Sequence, residues 1–209
     1  RHAPRGAAYV CLDPTQPPTR TTAMLDDADP DLIITTRRSA TVLGRPHSST
    51  VLYADDLPPA PPTTAAVTAD AGPDDPAYLV YTSGSTGAPK AVVATHGNAC
   101  VAVHARTRFL HNAGPRTGTV RTLITLPVIF DVAPHMIMWT LWSGGTVVIP
   151  DKVGQVQDPD GLLDLIDRAA ITHVNFTASF YRHLLPRIPD GWRPALQVVA
   201  VGGEACHPQ

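Results

Sequence analysis

The residues best suited to chemistry lie in a ten-residue stretch that follows an apolar run and ends at Lys90. Glycines let backbone N–H groups approach an anion closely, hydroxyls add hydrogen-bond donors, and a lysine supplies a mobile positive charge. The stretch is therefore typical of a loop that binds phosphate. The residues expected to hold the phosphates are Thr82, Ser83, Gly84, Ser85, Thr86, Gly87 and Lys90.

This stretch differs from the nucleotide-binding loop G-x-x-x-x-G-K-[ST]. Pro89 stands five residues after Gly84, and Ala91 follows the lysine where that loop has a metal-binding hydroxyl. A turn rich in glycine and serine between two strands is the simpler interpretation of a short glycine pattern. Ten ordered positions that end in Pro-Lys favour phosphate binding over that alternative.

Length, charge and composition restrict the kind of partner. A chain of 209 residues is long enough for one domain or for part of a larger one. With 16 basic and 18 acidic side chains it has no overall basic field to attract nucleic acid or an anionic membrane. The 3 cysteines and 9 histidines show no metal-ligand spacing. We expect a cytoplasmic protein that acts on small molecules or proteins, with no nucleic-acid or membrane partner.

From residue 32 onward, apolar runs rich in β-branched residues alternate with helical patterns, which predicts an α/β fold. Because the runs are apolar on both faces, the sheets should be largely covered. We expect Asp158 to cap the third helix and the proline-rich residues 56–76 to form a surface linker. The predicted strands are 32–35, 50–53, 78–81, 92–94, 123–126, 147–149, 173–176 and 198–201. The predicted helices are 98–111, 132–142, 159–169 and 178–185.

Asp131 directly precedes the second of these helices and follows the strand 123–126 and Pro127. Open α/β folds bind ligands at the carboxyl ends of their strands, so Asp131 is a candidate ligand-binding residue. An aspartate at this position is also a common helix cap. From the residues alone the two interpretations have equal weight.

Residues 81–90 resemble the signature loop of the adenylate-forming enzymes, which include acyl-CoA ligases, luciferases and the adenylation domains of nonribosomal peptide synthetases. In that family the loop grips the β- and γ-phosphates of ATP while a carboxylate attacks the α-phosphorus. Residues 7–28 resemble the peptide-synthetase version of an early family motif, a strand that leads through an Asp-Pro turn into a helix. The resemblance implies part of the large N-terminal domain of such an enzyme, with mixed β-sheets flanked by helices.

The resemblance also implies a substrate site. It assigns Asp131 to the α-ammonium group of an amino acid, a charge-assisted contact. His135 and Met136 stand where an aromatic residue and a glutamate are common, and His135 could equally be a helix residue satisfied by solvent. We expect a small or polar substrate. The implied pocket residues are Asp131, Val132, His135, Asn175, Ala200 and Gly202. The implied adenine-proximal residues are Gly203, Glu204 and Ala205.

The implied reaction joins ATP and an amino acid into an aminoacyl-adenylate and pyrophosphate, and then forms a thioester on the phosphopantetheine of a peptidyl carrier protein domain. Mg²⁺, with its ligand outside this sequence, and a small MbtH-like helper protein are further expected partners. A composition rich in proline, alanine and arginine suggests a bacterial source. Another carboxylate ligase of the family, for example an acyl-CoA ligase, is the alternative. A nucleotide-binding or interaction module without catalysis is an alternative of another class.

The family's later segments for adenine, magnesium and ribose, and its late catalytic lysine, do not occur in this sequence. We therefore expect residues 1–209 to be a partial adenylation domain that is truncated at both ends and holds no catalytic or metal-binding residue. Most of the electrostatic preorganisation of the reaction would then be missing. For this reason we expect the 209 residues alone to catalyse little or no adenylation.

Overall fold

A computed structural model describes residues 6–43, 49–58, 71–83, 89–112, 118–150, 154–192 and 194–205. The chain divides into two compact units, residues 1–99 and 100–209. Each unit combines β-sheet and α-helix, which confirms the predicted α/β class. Only the ends of the predicted linker 56–76 are among the described residues, so its status as a linker stays a prediction.

The first unit has a three-stranded sheet with the order β1-β4-β5 and a two-stranded sheet of β2 and β3. Its strands are β1 Tyr9–Val10, β2 Leu32–Thr35, β3 Thr50–Tyr53, β4 Pro76–Ser83 and β5 Pro89–Thr95. Strand β4 is parallel to β1 and antiparallel to β5, so the larger sheet is mixed, as expected. Helix α1, Pro18–Ala28, lies between β1 and β2 in the chain. Short 3-10 helices span Ser39–Leu43 and Ala54–Asp56.

The second unit is built on a parallel sheet with the order β7-β6-β8-β9. Its strands are β6 Arg121–Leu123, β7 Thr146–Val148, β8 His173–Thr177 and β9 Val198–Gly202. Its helices are α2 His96–Asn112, α3 Val132–Trp142, α4 Pro159–Arg168 and α5 Ala178–Leu184, and a 3-10 helix spans Leu185–Arg187. Helices α3, α4 and α5 connect successive strands, as parallel pairing requires. The carboxyl ends of the four strands therefore share one edge of the sheet.

The main core of this unit packs α4 and α5 against the strands. Its buried members are Leu123, Leu162, Leu163, Leu165, Ile166, Ile171, Val174, Phe176 and Leu184. A second cluster joins Val103 and Leu110 of α2 to Trp139 of α3. Within the described ranges, no helix is both long enough and apolar enough to cross a membrane.

Local signals explain where two of the helices begin. The Asp158 carboxylate accepts a hydrogen bond from Gly161 N at 3.3 Å, which confirms its predicted role as the cap of α4. Helix α2 begins two residues before the predicted start because Thr95 and Asn98 form a reciprocal capping box. Thr95 N donates to Asn98 Oδ1 at 3.0 Å, and Asn98 N donates to Thr95 Oγ1 at 3.2 Å.

Candidate functional site

The predicted phosphate loop joins the antiparallel strands β4 and β5. Thr82 pairs with Lys90 and Ser83 with Pro89 in the strand register, and Thr82 Oγ1 donates to the Lys90 carbonyl oxygen at 3.4 Å. The Lys90 side chain is exposed and has no ion-pair partner among the described residues. The ladder thus fixes both ends of the loop. Its central residues lie outside the described ranges: Gly84, Ser85, Thr86, Gly87 and Ala88.

Tyr81 anchors the end of β4 to helix α1. Its buried hydroxyl lies 2.7 Å from Asp27 Oδ2 and 3.2 Å from the Met24 carbonyl oxygen, and it donates its proton to one of them. Burial, together with the Asp27 carboxylate, raises the pKa of Tyr81 well above 10.0, so the hydroxyl stays protonated. Tyr81 therefore fixes the strand that leads into the loop, a role that the sequence motif did not indicate.

Asp131 occupies the N-cap position of α3 without capping the helix. Its backbone is helical, with φ −56° and ψ −30°, and its side chain accepts no capping hydrogen bond. A capping residue is usually extended, with its side-chain oxygen bonded to an N–H of the first turn. The capping interpretation is therefore wrong for this side chain. The carboxylate is exposed. In the chain, Asp131 stands between the carboxyl end of β6 and the start of α3.

Strands β8 and β9 carry three of the other predicted pocket residues. Asn175 lies opposite Ala200 in the register, and Thr177 lies opposite Gly202. A Cβ atom built on Gly202 would meet no atom within 4 Å, so there is open space beside this backbone. Val132 behaves differently, because it packs against the buried cluster of Ile124, Ala133 and Met136.

Arg106, which is not among the predicted site residues, contacts the predicted pocket residue Asn175. Its Nη2 donates to Asn175 Oδ1 at 3.2 Å, and its Cζ lies 5.2 Å from the centroid of the Trp139 ring. Burial lowers the pKa of Arg106 from its ordinary value. A signal was present in the sequence, because buried Ala99, Val103 and Leu110 follow the spacing i, i+4, i+11 and Arg106 fills the i+7 position of this stripe.

The pKa of His135 responds to two charged residues of the site, Asp131 and Arg106. His135 stands one helical turn after Asp131 on α3 and is half-buried. Burial lowers the pKa of His135, the Asp131 carboxylate raises it, and the Arg106 guanidinium lowers it again. The net direction is downward, which favours the neutral imidazole. The structure therefore places Asp131 and Arg106 within electrostatic reach of His135, and Arg106 in hydrogen-bond contact with Asn175.

The end of β9 is tied to the start of α5 by Glu204. Its Oε1 accepts hydrogen bonds from Ser179 N at 2.9 Å and from Ser179 Oγ at 2.5 Å. These bonds lower the pKa of Glu204 from its ordinary 4.5. Gly203 has φ +83°, a conformation that favours glycine. Glu204 is therefore engaged within the fold, and the backbone of Gly203 to Ala205 keeps a defined path.

A family model described as "AMP-binding enzyme" matches residues 3–209. The chain belongs to this family. The match covers both the loop after β4 and the Asp131 group, and it bears out the resemblance to adenylate-forming enzymes that residues 81–90 first indicated.

Relatives of this chain include peptide synthetases of bacteria and fungi. It is 34% identical over 208 residues to phosphinothricin tripeptide synthetase PhsB of Streptomyces viridochromogenes, covering 97% of this chain and 17% of that protein. It is 34% identical over 202 residues to nonribosomal peptide synthetase anaPS of Neosartorya fischeri, covering 95% of this chain and 8% of that protein. The chain thus spans only a small part of the length of these relatives.

A solved structure with a similar fold is the nonribosomal peptide synthetase FmoA3 with α-methyl-L-serine-AMP bound. The TM-score is 0.78 at 29% identity, over 96% of the AMP-binding chain and 22% of the FmoA3 chain. The described sheets and helices match the N-terminal domain of adenylate-forming enzymes, which confirms the predicted fold class.

Proposed function

We propose that this chain is a segment of an adenylation domain that activates an amino acid with ATP. The observation that carries the proposal is Asp131, an exposed carboxylate that does not cap its helix and stands, in the chain, between the carboxyl end of β6 and the start of α3. A carboxylate in that position suits the α-ammonium group of an amino acid. The peptide-synthetase relatives and the aminoacyl-AMP in FmoA3 support the same chemistry.

In the proposed reaction, an oxygen of the amino-acid carboxylate attacks the α-phosphorus of ATP. The bond between that phosphorus and the oxygen bridging to the β-phosphorus breaks, and pyrophosphate leaves. The loop after β4 would hold the β- and γ-phosphates, with Thr82, Ser83 and Lys90 at its two ends. The exposed ammonium of Lys90 suits a pyrophosphate group whose negative charge increases as the bond breaks.

The segment Gly203 to Ala205 would pass along the adenine ring through its backbone. The hydrogen bonds from Ser179 to Glu204 support this role, because they hold the segment in place without using its backbone groups. Val132, His135, Asn175, Ala200 and Gly202 would surround the side chain of the amino acid. The open space beside Gly202 is consistent with room for a substrate atom there.

We further propose that the amino acid passes as a thioester to the phosphopantetheine of a peptidyl carrier protein domain. Mg²⁺ bound by residues outside this segment, an MbtH-like helper and a cytoplasmic location belong to the same proposal. It also includes the expectations that the chain is a partial domain and that its 209 residues alone catalyse little or no adenylation. The carrier is supported by the synthetase relatives, whereas the metal and the helper follow from family resemblance only.

Amino-acid-dependent ATP–pyrophosphate exchange by the parent domain tests the proposal. We expect exchange with one or a few amino acids and none with fatty or aryl acids, with or without CoA. Activation of a carboxylic acid that lacks an amine, followed by CoA transfer, would favour the acyl-CoA ligase alternative. ATP binding without exchange for any acid would favour the module without catalysis.

A further inference from the structure

Arg106 is a largely buried cation without an anionic partner among the described residues. Its Nε atom is buried and makes no hydrogen bond to them, and none of their carboxylates lies within ion-pair distance of its guanidinium. Removing a charge from water is costly unless an opposite charge or several hydrogen bonds compensate it. A guanidinium has five N–H donors, and one described bond, to Asn175, accounts for only one of them.

The surroundings of Arg106 hold the guanidinium in a defined place. The Trp139 ring lies under it, with Cζ 5.2 Å from the ring centroid, and Trp139 itself is fully buried. Asn175 Oδ1 accepts from Nη2 at 3.2 Å. Asn175 is in turn opposite Ala200 on β9, a small residue two positions before the open space at Gly202. The cation is therefore held in place by Trp139 and Asn175, and the strand position opposite Asn175 carries only the small side chain of Ala200.

The two charges of the site are arranged for a molecule that carries the opposite charges. Asp131 is negative, and Arg106 is positive. Both charges shift the pKa of half-buried His135, Asp131 upward and Arg106 downward. An α-amino acid with a side-chain carboxylate presents an ammonium group to Asp131 and a second carboxylate to Arg106. A neutral side chain would leave the buried guanidinium uncompensated.

We propose that this pocket selects an α-amino acid with a side-chain carboxylate, and that Arg106 binds this carboxylate. The inference depends on the proposed amino-acid activation and specifies its substrate class. Guanidinium and carboxylate groups match in a planar, two-bonded geometry that an amide cannot reproduce with the same charge assistance. Asn175 orients the guanidinium through its side-chain oxygen.

The test is ATP–pyrophosphate exchange by the parent adenylation domain with L-aspartate, L-glutamate and L-2-aminoadipate, each compared with a neutral partner. The neutral partners are L-asparagine for L-aspartate, L-glutamine for L-glutamate and L-norleucine for L-2-aminoadipate. We expect one dicarboxylic amino acid to exceed its neutral partner at least tenfold in kcat/KM. In the Arg106→Gln variant this advantage should fall by about 10- to 100-fold, the range for a hydrogen bond between charged groups. Arg106→Lys should keep part of the advantage, because it keeps the charge.

Arg108→Gln is the matched control, since it makes the same substitution at an exposed position of the same helix. This substitution should leave kcat/KM unchanged both for the dicarboxylic amino acid and for its neutral partner. The inference is overturned if the wild-type domain prefers a neutral amino acid, or if Arg106→Gln lowers kcat/KM equally for a dicarboxylic acid and its neutral partner. A domain that activates no amino acid at all would instead contradict the proposed function. Thermal unfolding of each variant shows whether a loss of exchange reflects a loss of fold.

Discussion

At the scale of single residues, the proposed site depends on two charged side chains, Asp131 and Arg106. The family resemblance selected Asp131 as a candidate, and the structure added that its carboxylate caps no helix. Arg106 was missed because a charged residue on a helix is usually assigned to the solvent side. Only its spacing with Val103 and Leu110 indicated an inward direction. Contacts between residues 69 positions apart, such as Arg106 with Asn175, leave no local pattern in the chain.

Glu204 gives a prediction for pH dependence at the same scale. Its pKa in the folded chain lies below 4.5, so the bonds from Ser179 contribute stability that is fully present above pH 4.5. This contribution is lost as the pH falls through the folded-state pKa and the carboxylate takes up a proton. Glu204→Gln should therefore lower the melting temperature near neutral pH. The difference in melting temperature between wild type and Glu204→Gln should become smaller as the pH is lowered toward 3.

Thermal unfolding from pH 3 to pH 7 measures this difference directly. Asp190→Asn, at an exposed site, is the control for removing one carboxylate. A gap between wild type and Glu204→Gln that stays constant across the range would show that the carboxylate does not act through its charge.

At the scale of elements, periodicity placed the helices and strands well. Helix α3 has the predicted bounds, and β2 and β3 match theirs. The predicted bounds that differ from the structure lie at the ends of elements, where hydrogen bonds with other segments determine the last residue of a strand or helix. Strand β6 ends at Leu123 although apolar residues continue to Leu126. The 3-10 helices at Ser39–Leu43 and Ala54–Asp56 were not predicted, because such short turns have no repeating pattern of apolar residues.

The first turn of α4 provides a test at this scale. Asp158→Ala should lower the free energy of unfolding by about 1 kcal/mol through loss of the cap. A Cβ at Gly161 would lie 2.6 Å from Asp158 Oδ2, so Gly161→Ala in the wild type disturbs the same cap. In the Asp158→Ala background that clash is absent, and Gly161→Ala should stabilise the helix by about 0.8 kcal/mol through its higher propensity.

Urea unfolding of the two single variants and the double variant measures this coupling. Asp190→Ala is the control and should change stability little. If Gly161→Ala has the same effect in both backgrounds, the cap and the glycine are not coupled and the account of this turn is wrong.

At the scale of the whole molecule, the family match extends over residues 3–209 and the peptide-synthetase relatives extend far beyond it. The sequence predicted membership of this family from four short motifs that occur in the same order as in the family. The division of the chain into two compact units was not predicted, because no composition change marks the boundary at residue 99. The predicted phosphate loop belongs to the first unit, and the Asp131 group belongs to the second.

The central claim is that the acid activated by the parent domain is an α-amino acid held through Asp131. The most direct measurement is kcat/KM in ATP–pyrophosphate exchange for the preferred amino acid and for its analogue without the α-amine, with wild type and Asp131→Asn. Asp190→Asn is the matched control. We expect Asp131→Asn to lower kcat/KM for the amino acid by about 10- to 100-fold and to change kcat/KM for the analogue little. An unchanged preference for the amine in Asp131→Asn would contradict this claim.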